Sequence, residues 1–228
     1  MKIAIHQPKF LPYLGYWQLI YAVDAFVIFD DVNFVKKAFI NHNSILVGGE
    51  PKKFTLELIG ASQNKLINEI KVGENSNKIL KTIELNYKKK PYFKITFPIL
   101  EDIFNQNEKN LAKFIGYSIK KICNYFDFDK KFIYSSEIAK DNNLKGQFKI
   151  VDICKKLNTK QYVNSIGGKS LYDKKLFLAR GVNLSFLEAN LAKYQNLGNF
   201  MPYLSIIDIM MYYSKNEIIE ILKSYKLI

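Results

Sequence analysis

Arginine is almost missing from this chain. Among 34 lysine and arginine residues Arg180 is the only arginine, although the formal net charge is +13. Proteins that grip nucleic acid lean on the bidentate guanidinium fork. A surface charged by lysine alone speaks to solubility and association rather than to base readout, so an anionic small molecule is the more economical partner. Cysteine is as scarce. Cys123 and Cys154 both fall in apolar, helix-like contexts, which gives neither a disulfide framework nor zinc-ligand spacing and suits a reducing compartment. The only histidines are His6 and His42, and no G-x-S-x-G elbow is present. Long apolar runs are also lacking. The stretch 204–213 is broken by Asp208 and falls short of the roughly 20 residues that cross a bilayer. The first apolar run is too short for a signal peptide and is interrupted by His6 and Pro8. A cytoplasmic protein with no membrane span is expected.

The chain does have short apolar strands alternating with helices, and 48% of its residues are hydrophobic. Residues 2–6, 12–23 and 24–29 read as strand, helix and strand, a βαβ unit. Two β-rich stretches, 39–47 and 53–59, flank Gly48-Gly49-Glu50-Pro51 and predict an antiparallel hairpin, an insert at about 38–60. Apolar spacing of three and four then predicts helices at 78–87, 92–105 and 111–125, a helical segment at about 75–126. Strands are expected at 132–135, 161–163 and 182–187, and helices at 147–157, 171–180, 204–213 and 217–224. The expected fold is a single α/β domain over 1–228. Its mainly parallel, Rossmann-like sheet is flanked by helices and carries the hairpin and the helical middle segment as insertions.

Polar groups collect where the strands end. His6-Gln7 follows the first strand, Asp30-Asp31 the second, Ser135-Ser136-Glu137 the third, and Asn164-Ser165 with Gly167-Gly168 the fourth. Parallel neighbours would bring these groups to one rim, where open α/β sheets bind ligands. His6 either caps the next helix or works as an acid, base or hydrogen-bond partner near neutral pH. Asp30 and Asp31 repel one another, so one carboxyl raised in pKa could move a proton, or the pair could hold a cation. On a strand they point to opposite faces, and a plain capping turn explains them too. Lys36 could bind a phosphate or simply be solvated. Asn41-His42-Asn43 is denser in hydrogen-bonding side chains than a hairpin needs, which marks it for substrate recognition. Gly167-Gly168-Lys169 resembles a phosphate-cradling turn, without the GxxxxGK[ST] spacing of a P-loop.

Together these blocks resemble the WbqC-like family. The resemblance begins at His6-Gln7-Pro8 through Pro12 and Leu14-Gly15-Tyr16, and continues in Phe29 to Phe34 and Asn41-His42-Asn43. It resumes at Gly146 to Cys154, at Tyr162 to Tyr172, and from Tyr194-Gln195 through Phe200-x-Pro202-x-Leu204-Ser205-x-x-Asp208. His42 and Lys149 stand where the family pattern has arginine, and Tyr162-Val163-Asn164-Ser165 replaces a Tyr-Leu-Ser-Gly pattern. Any phosphate those arginines hold would meet lysine or histidine here. The resemblance implies bacterial surface-polysaccharide (O-antigen-type) biosynthesis, with acyl or glycyl transfer to a nucleotide-linked amino sugar as one proposal. The strand ends supply His6, Asp30 and Asp31 as the catalytic candidates. Gln7, Tyr13, Lys36, Asn41, His42, Asn43, Asn164, Ser165, Gly167, Gly168, Lys169, Tyr194, Gln195, Ser205 and Asp208 are the substrate-binding candidates. No metal ligand set emerges and the cofactor is unknown. An aminoacyl-tRNA donor is the one partner that would give the +13 charge a role. A non-catalytic nucleotide, nucleotide-sugar or tRNA binding protein remains an alternative. So does a nucleotidylyltransferase-like enzyme, whose Gly-His helix start is Gly15-Tyr16 here.

Overall fold

The computed structural model describes residues 1–190, 201 and 203–228. The chain opens with β1 (Lys2–His6), α1 (Leu14–Tyr21) and β2 (Ala25–Ile28). Two small antiparallel pairs follow, β3 (His42–Val47) with β4 (Glu50–Thr55), and β5 (Leu58–Ile59) with β6 (Lys71–Val72). Three helices come next, α2 (Ser76–Tyr87), α3 (Phe93–Phe104) and α4 (Leu111–Tyr125). The remainder alternates: β7 (Lys131–Tyr134), α5 (Gly146–Lys156), β8 (Gln161–Ser165), α6 (Lys174–Ala179), β9 (Asn183–Ala189), α7 (Ile206–Tyr212), α8 (Lys215–Leu222) and β10 (Tyr225–Leu227).

The main sheet has the order β10-β9-β8-β1-β2-β7. Every pairing is parallel except that of β10 with β9. β2 shows why a sheet of this kind forms. All four of its residues are buried. Ala25 and Val27 face the core under α5 and α6, while Phe26 and Ile28 face the larger core formed with α1, α2, α3, α4 and α7. A strand buried on both faces needs a continuous apolar run.

The chain runs outward from β1 in both directions, through β2 to β7 and, by way of α5, through β8 to β9. The order therefore reverses between β1 and β8, and such a switch point leaves a crevice beyond the carboxyl ends. The ladder widens that crevice. β1 pairs with β2 up to His6↔Ile28, but with β8 only at Lys2↔Gln161 and Ile3↔Tyr162.

Three differences from the expected elements have local causes. The stretch 53–59 breaks at buried Leu56, after which β5 pairs with β6 instead of prolonging β4. The helix expected over 171–180 is shortened to α6, preceded by a 3₁₀ turn (Ile166–Leu171), and starts where Asp173 accepts from the Lys175 amide at 2.8 Å. β10 has only three residues, too few for alternation to register, and it forms because β9 offers an open edge.

Candidate functional site

The segment from Gln7 to Tyr13, between β1 and α1, is the rigid part of the rim. Leu11 has φ +44°, a left-handed backbone that a leucine holds only when its surroundings impose it. Its carbonyl accepts from Asn43 Nδ2 at 2.8 Å and from Ser205 Oγ at 2.7 Å. The Pro12 carbonyl accepts from Trp17 Nε1 and the Ile206 amide, both at 3.0 Å, and the Phe10 amide donates to Ile40 O at 3.0 Å. β3, α1 and the start of α7 thus clamp a segment with no regular structure of its own.

His6 and Lys9 stand on this platform. His6 Nδ1 lies 3.2 Å from the Gln7 carbonyl, which places the proton on Nδ1 and leaves Nε2 with its lone pair. Tyr16 donates to the same carbonyl at 3.1 Å and meets the imidazole edge-on. Burial, helped by the Lys9 charge and opposed by the Gln7 hydrogen bond, holds the imidazole down to about 3. His6 is therefore neutral throughout the physiological range. Lys9 Nζ sits 5.2 Å from the Tyr13 ring, 5.8 Å from Phe39 and 5.9 Å from Tyr16. No carboxylate or hydrogen-bond acceptor among the described residues contacts it. Burial pushes this ammonium down to about 8, into the range where a lysine exchanges protons near neutral pH.

Beside them, between the start of α1 and the ends of β8 and β9, lies a cleft of about 320 Å³. Tyr13, Gly15, Ser165, Ile166, Gly167, Glu188 and Tyr203 line it with several aliphatic side chains. The Tyr13 and Tyr203 rings meet edge to face at 5.3 Å, and Tyr13 links the cleft to Lys9. Phe39 continues the aromatic wall from Tyr13 to His42, which stacks on it at 5.5 Å. Burial and the charge of Lys53 lower the pKa of His42.

Of the candidates, Tyr13, Ser165 and Gly167 line the cleft, His6 and Gln7 stand at the end of β1, and His42 connects to Tyr13 through Phe39. Other candidates support it from behind. Asn41 Nδ2 donates to Leu56 O at 2.9 Å, and Asn43 and Ser205 hold Leu11. Asn164 turns its Oδ1 to the Ser165 amide at 2.9 Å and packs against Gly168, where an added Cβ would fall 2.3 Å from Nδ2. Asp208 is buried under α2 and accepts from the Tyr87 hydroxyl at 2.8 Å, away from the cleft lining. Lys36 and Lys169 project into solvent. Tyr194 and Gln195 lie outside the described residues.

The two aspartates stand at the neighbouring strand end. Asp30 is buried. It accepts from the Ser136 amide (2.9 Å), the Ser136 hydroxyl (2.6 Å) and Asn68 Nδ2 (3.2 Å), which ties the ends of β2 and β7 together. Asp31 pairs with Lys140 and Lys149. Burial alone would raise its carboxyl, but hydrogen bonds from Lys140, Ser135 and Lys149 together with the Lys149 charge outweigh that and hold it below the usual range, opposite to the direction a proton donor needs. Among the described residues no three His, Cys, Asp or Glu side chains are grouped to hold a metal ion.

Lys9 and Lys140 escape sequence reasoning because nothing in a lysine-rich chain separates a buried lysine from a solvated one. The one available signal for Lys9 is its place in the stretch from His6 to Pro12.

Comparison with known proteins adds two findings. The model of the WbqC-like protein family matches residues 7–220. The chain is also similar to the "Uncharacterized protein Rv1507c" of Mycobacterium tuberculosis, 24% identical over 215 residues that cover 92% of each chain. No solved structure matches.

Proposed function

The chain belongs to the WbqC-like protein family, and from the β1–β8 crevice we propose that it is a transferase that places an acyl or aminoacyl (glycyl) group on the amine of a nucleotide-linked amino sugar. The setting of that reaction is the building of a bacterial surface polysaccharide of the O-antigen type. The observation that carries the reading is the Lys9 ammonium, caged by three aromatic rings, beside a cleft with aromatic walls at the carboxyl ends of β8 and β9.

Acyl transfer to an amine requires a neutral nucleophile, so the sugar ammonium must lose a proton before or during attack on the carbonyl of an activated acyl ester, whose C–O bond breaks as the amide forms and whose alcohol leaves with a proton. Lys9, with a pKa of about 8, is matched to accept that proton near neutral pH. A group held near 3 is a poor base, so His6 serves better as a neutral acceptor whose Nε2 orients the amine. Tyr13 and Tyr203 present ring faces and edges for a base or sugar, and Ser165, Ile166 and Gly167 line the cleft with backbone that polar ligand atoms can meet. Saturation with a nucleotide sugar at about 100 times its Kd should stabilise the fold by about 2.7 kcal/mol. A thermal-shift screen across nucleotide sugars reads this directly, and the absence of any stabilising member would sink the proposal. With a substrate identified, Lys9→Met should slow transfer by about 10²-fold while leaving binding intact.

A second reading, a non-catalytic nucleotide-sugar or tRNA binding protein, draws on the neutrality of His6 and on the +13 charge. It predicts steeply salt-dependent RNA binding, measurable by filter binding at two ionic strengths, with no turnover by the wild type. An aminoacyl-tRNA donor would show the same salt dependence together with turnover.

A further inference from the structure

Across the sheet from α1, the ends of β2 and β7 enclose a second cluster, to which the reading above gives no role. Lys140 and Lys149 both reach a single oxygen, Asp31 Oδ2, at 2.7 and 3.1 Å. The side chains are 1%, 11% and 10% exposed for Lys140, Lys149 and Asp31, so the three charges are largely out of water. Lys149 also donates to the Asp31 carbonyl at 3.2 Å and lies over the Phe29 ring, while Lys140 also donates to the Ser135 carbonyl. Asp30 is engaged elsewhere, with Ser136 and Asn68.

Two ammonium groups bring six N–H donors. Among the described residues four polar contacts and the face of the Phe29 ring receive them, which leaves one N–H group without a protein acceptor. The Ser135 hydroxyl is fully buried and is spent on the Asp31 carboxyl, whose pKa it helps to lower, and that pairing still leaves the ammonium donors in excess. One buried positive charge is likewise uncompensated within the triad. Buried donors of this kind are met in native proteins by water or by a ligand, and an oxygen-rich dianion supplies both the acceptors and the charge.

We propose that Lys140, Lys149 and Ser135 form a phosphate-binding subsite at the carboxyl end of β2, and that Asp31 is the carboxylate a phosphate displaces there. Phosphate binding itself is independent of the transferase reading. Assigning the subsite to the diphosphate of a nucleotide-linked substrate rests on that reading, because β2 adjoins β1 at the crevice.

Inorganic pyrophosphate, titrated calorimetrically into the full chain, is the probe. The wild type should bind it, Lys149→Met should lose at least about tenfold in affinity, and Lys149→Arg should stay within a few-fold. Asp31→Asn is the sharper variant. It removes the competing carboxylate and should bind pyrophosphate more tightly than the wild type, whereas a purely structural ion pair would give a less stable protein with no gain in affinity. Unfolding curves recorded beside each titration confirm that the variants are folded. The subsite is overturned if neither the wild type nor Asp31→Asn binds pyrophosphate, or if Lys149→Met binds it unchanged. Pyrophosphate binding that depends on Lys149, in a protein that ignores every nucleotide sugar, would leave the subsite standing and the transferase reading without support.

Discussion

Asn43 and Ser205 donate to one oxygen atom, the carbonyl of Leu11, from β3 and from the cap of α7. That shared acceptor fixes the left-handed Leu11 and through it the segment that presents Lys9. Both side chains are fully buried, so neither donor can be replaced by water without rearrangement. Asn43→Ala should cost about 1–3 kcal/mol. Ser205→Ala should cost about 1–2 kcal/mol, since its hydroxyl also caps α7. The double variant strips the carbonyl of both side-chain partners and should lose more than the two single costs added together. Urea unfolding of the four proteins measures this, and a strictly additive pair would show that Leu11 does not couple them.

Lys9 and His6 give the fold a pH dependence of determinate sign. The His6 imidazole resists protonation in the folded state, with a pKa of about 3 against an ordinary 6.5. Its contribution is complete above pH 6.5 and is lost as pH falls from 6.5 towards 3, because the unfolded chain binds the proton first. For Lys9 the folded pKa is about 8 against an ordinary 10.5. The cost of burying its charge is present in full below pH 8 and is relieved as pH rises from 8 to 10.5, again because the unfolded chain binds more protons. Lys9→Met should therefore be more stable than the wild type at pH 7, by about 1 kcal/mol once the solvent reaching a half-buried ammonium is allowed for. It should also lack the rise in stability above pH 8. Chemical denaturation at pH 7 and pH 9.5 checks both statements, and a Lys9→Met protein less stable at pH 7 would contradict the account of Lys9.

The parts of this fold that could be read from the sequence are those whose signal is periodic. The apolar run Ala25 to Ile28 and the three- and four-residue spacing in α4 announced a buried strand and a helix, and both are there. Polar strand ends pointed to a rim, because a parallel sheet sends all its carboxyl ends one way. The early end of the β1–β8 ladder and the three-ring cage around Lys9 could not be read, since both depend on contacts between segments far apart in the chain. Adjacent letters in the sequence also concealed how differently Asp30 and Asp31 are used. The first is held by amide and hydroxyl donors and the second by two lysines.

Gly167 and Gly168 separate two causes that the glycine pair conflates. A Cβ at Gly168 would fall 2.3 Å from Asn164 Nδ2 and 3.1 Å from its Cγ, and Asn164 is itself buried. Gly168→Ala must therefore push Asn164 off the turn, at about 1–3 kcal/mol, and should release the cleft wall formed by Ser165 and Ile166. Gly167 has open space where its Cβ would be, and its φ lies outside the left-handed region. Gly167→Ala should therefore be nearly neutral in stability. Any loss of ligand binding in that variant would report a backbone approach by the ligand. Thermal unfolding of the two variants should order them clearly, and equal destabilisation would refute the steric argument.

Tyr87 and Asp208 allow the scaffold to be weakened at a distance from the chemistry. The Tyr87 hydroxyl donates to Asp208 Oδ1 at 2.8 Å and accepts from the Leu46 amide at 3.1 Å, which joins α2, β3 and α7. Burial and the Asp208 charge drive the phenol well above its ordinary pKa, so it stays a donor at any pH the fold survives. Tyr87→Phe keeps the ring in the core but takes a donor from a buried carboxylate and an acceptor from a backbone amide. A loss of about 1–3 kcal/mol follows. Because neither residue lines the cleft, the affinity for any cleft ligand measured well below the melting temperature should stay within about two-fold of the wild type, or about 0.4 kcal/mol. A larger loss of affinity at full folding would place Asp208 in the binding machinery.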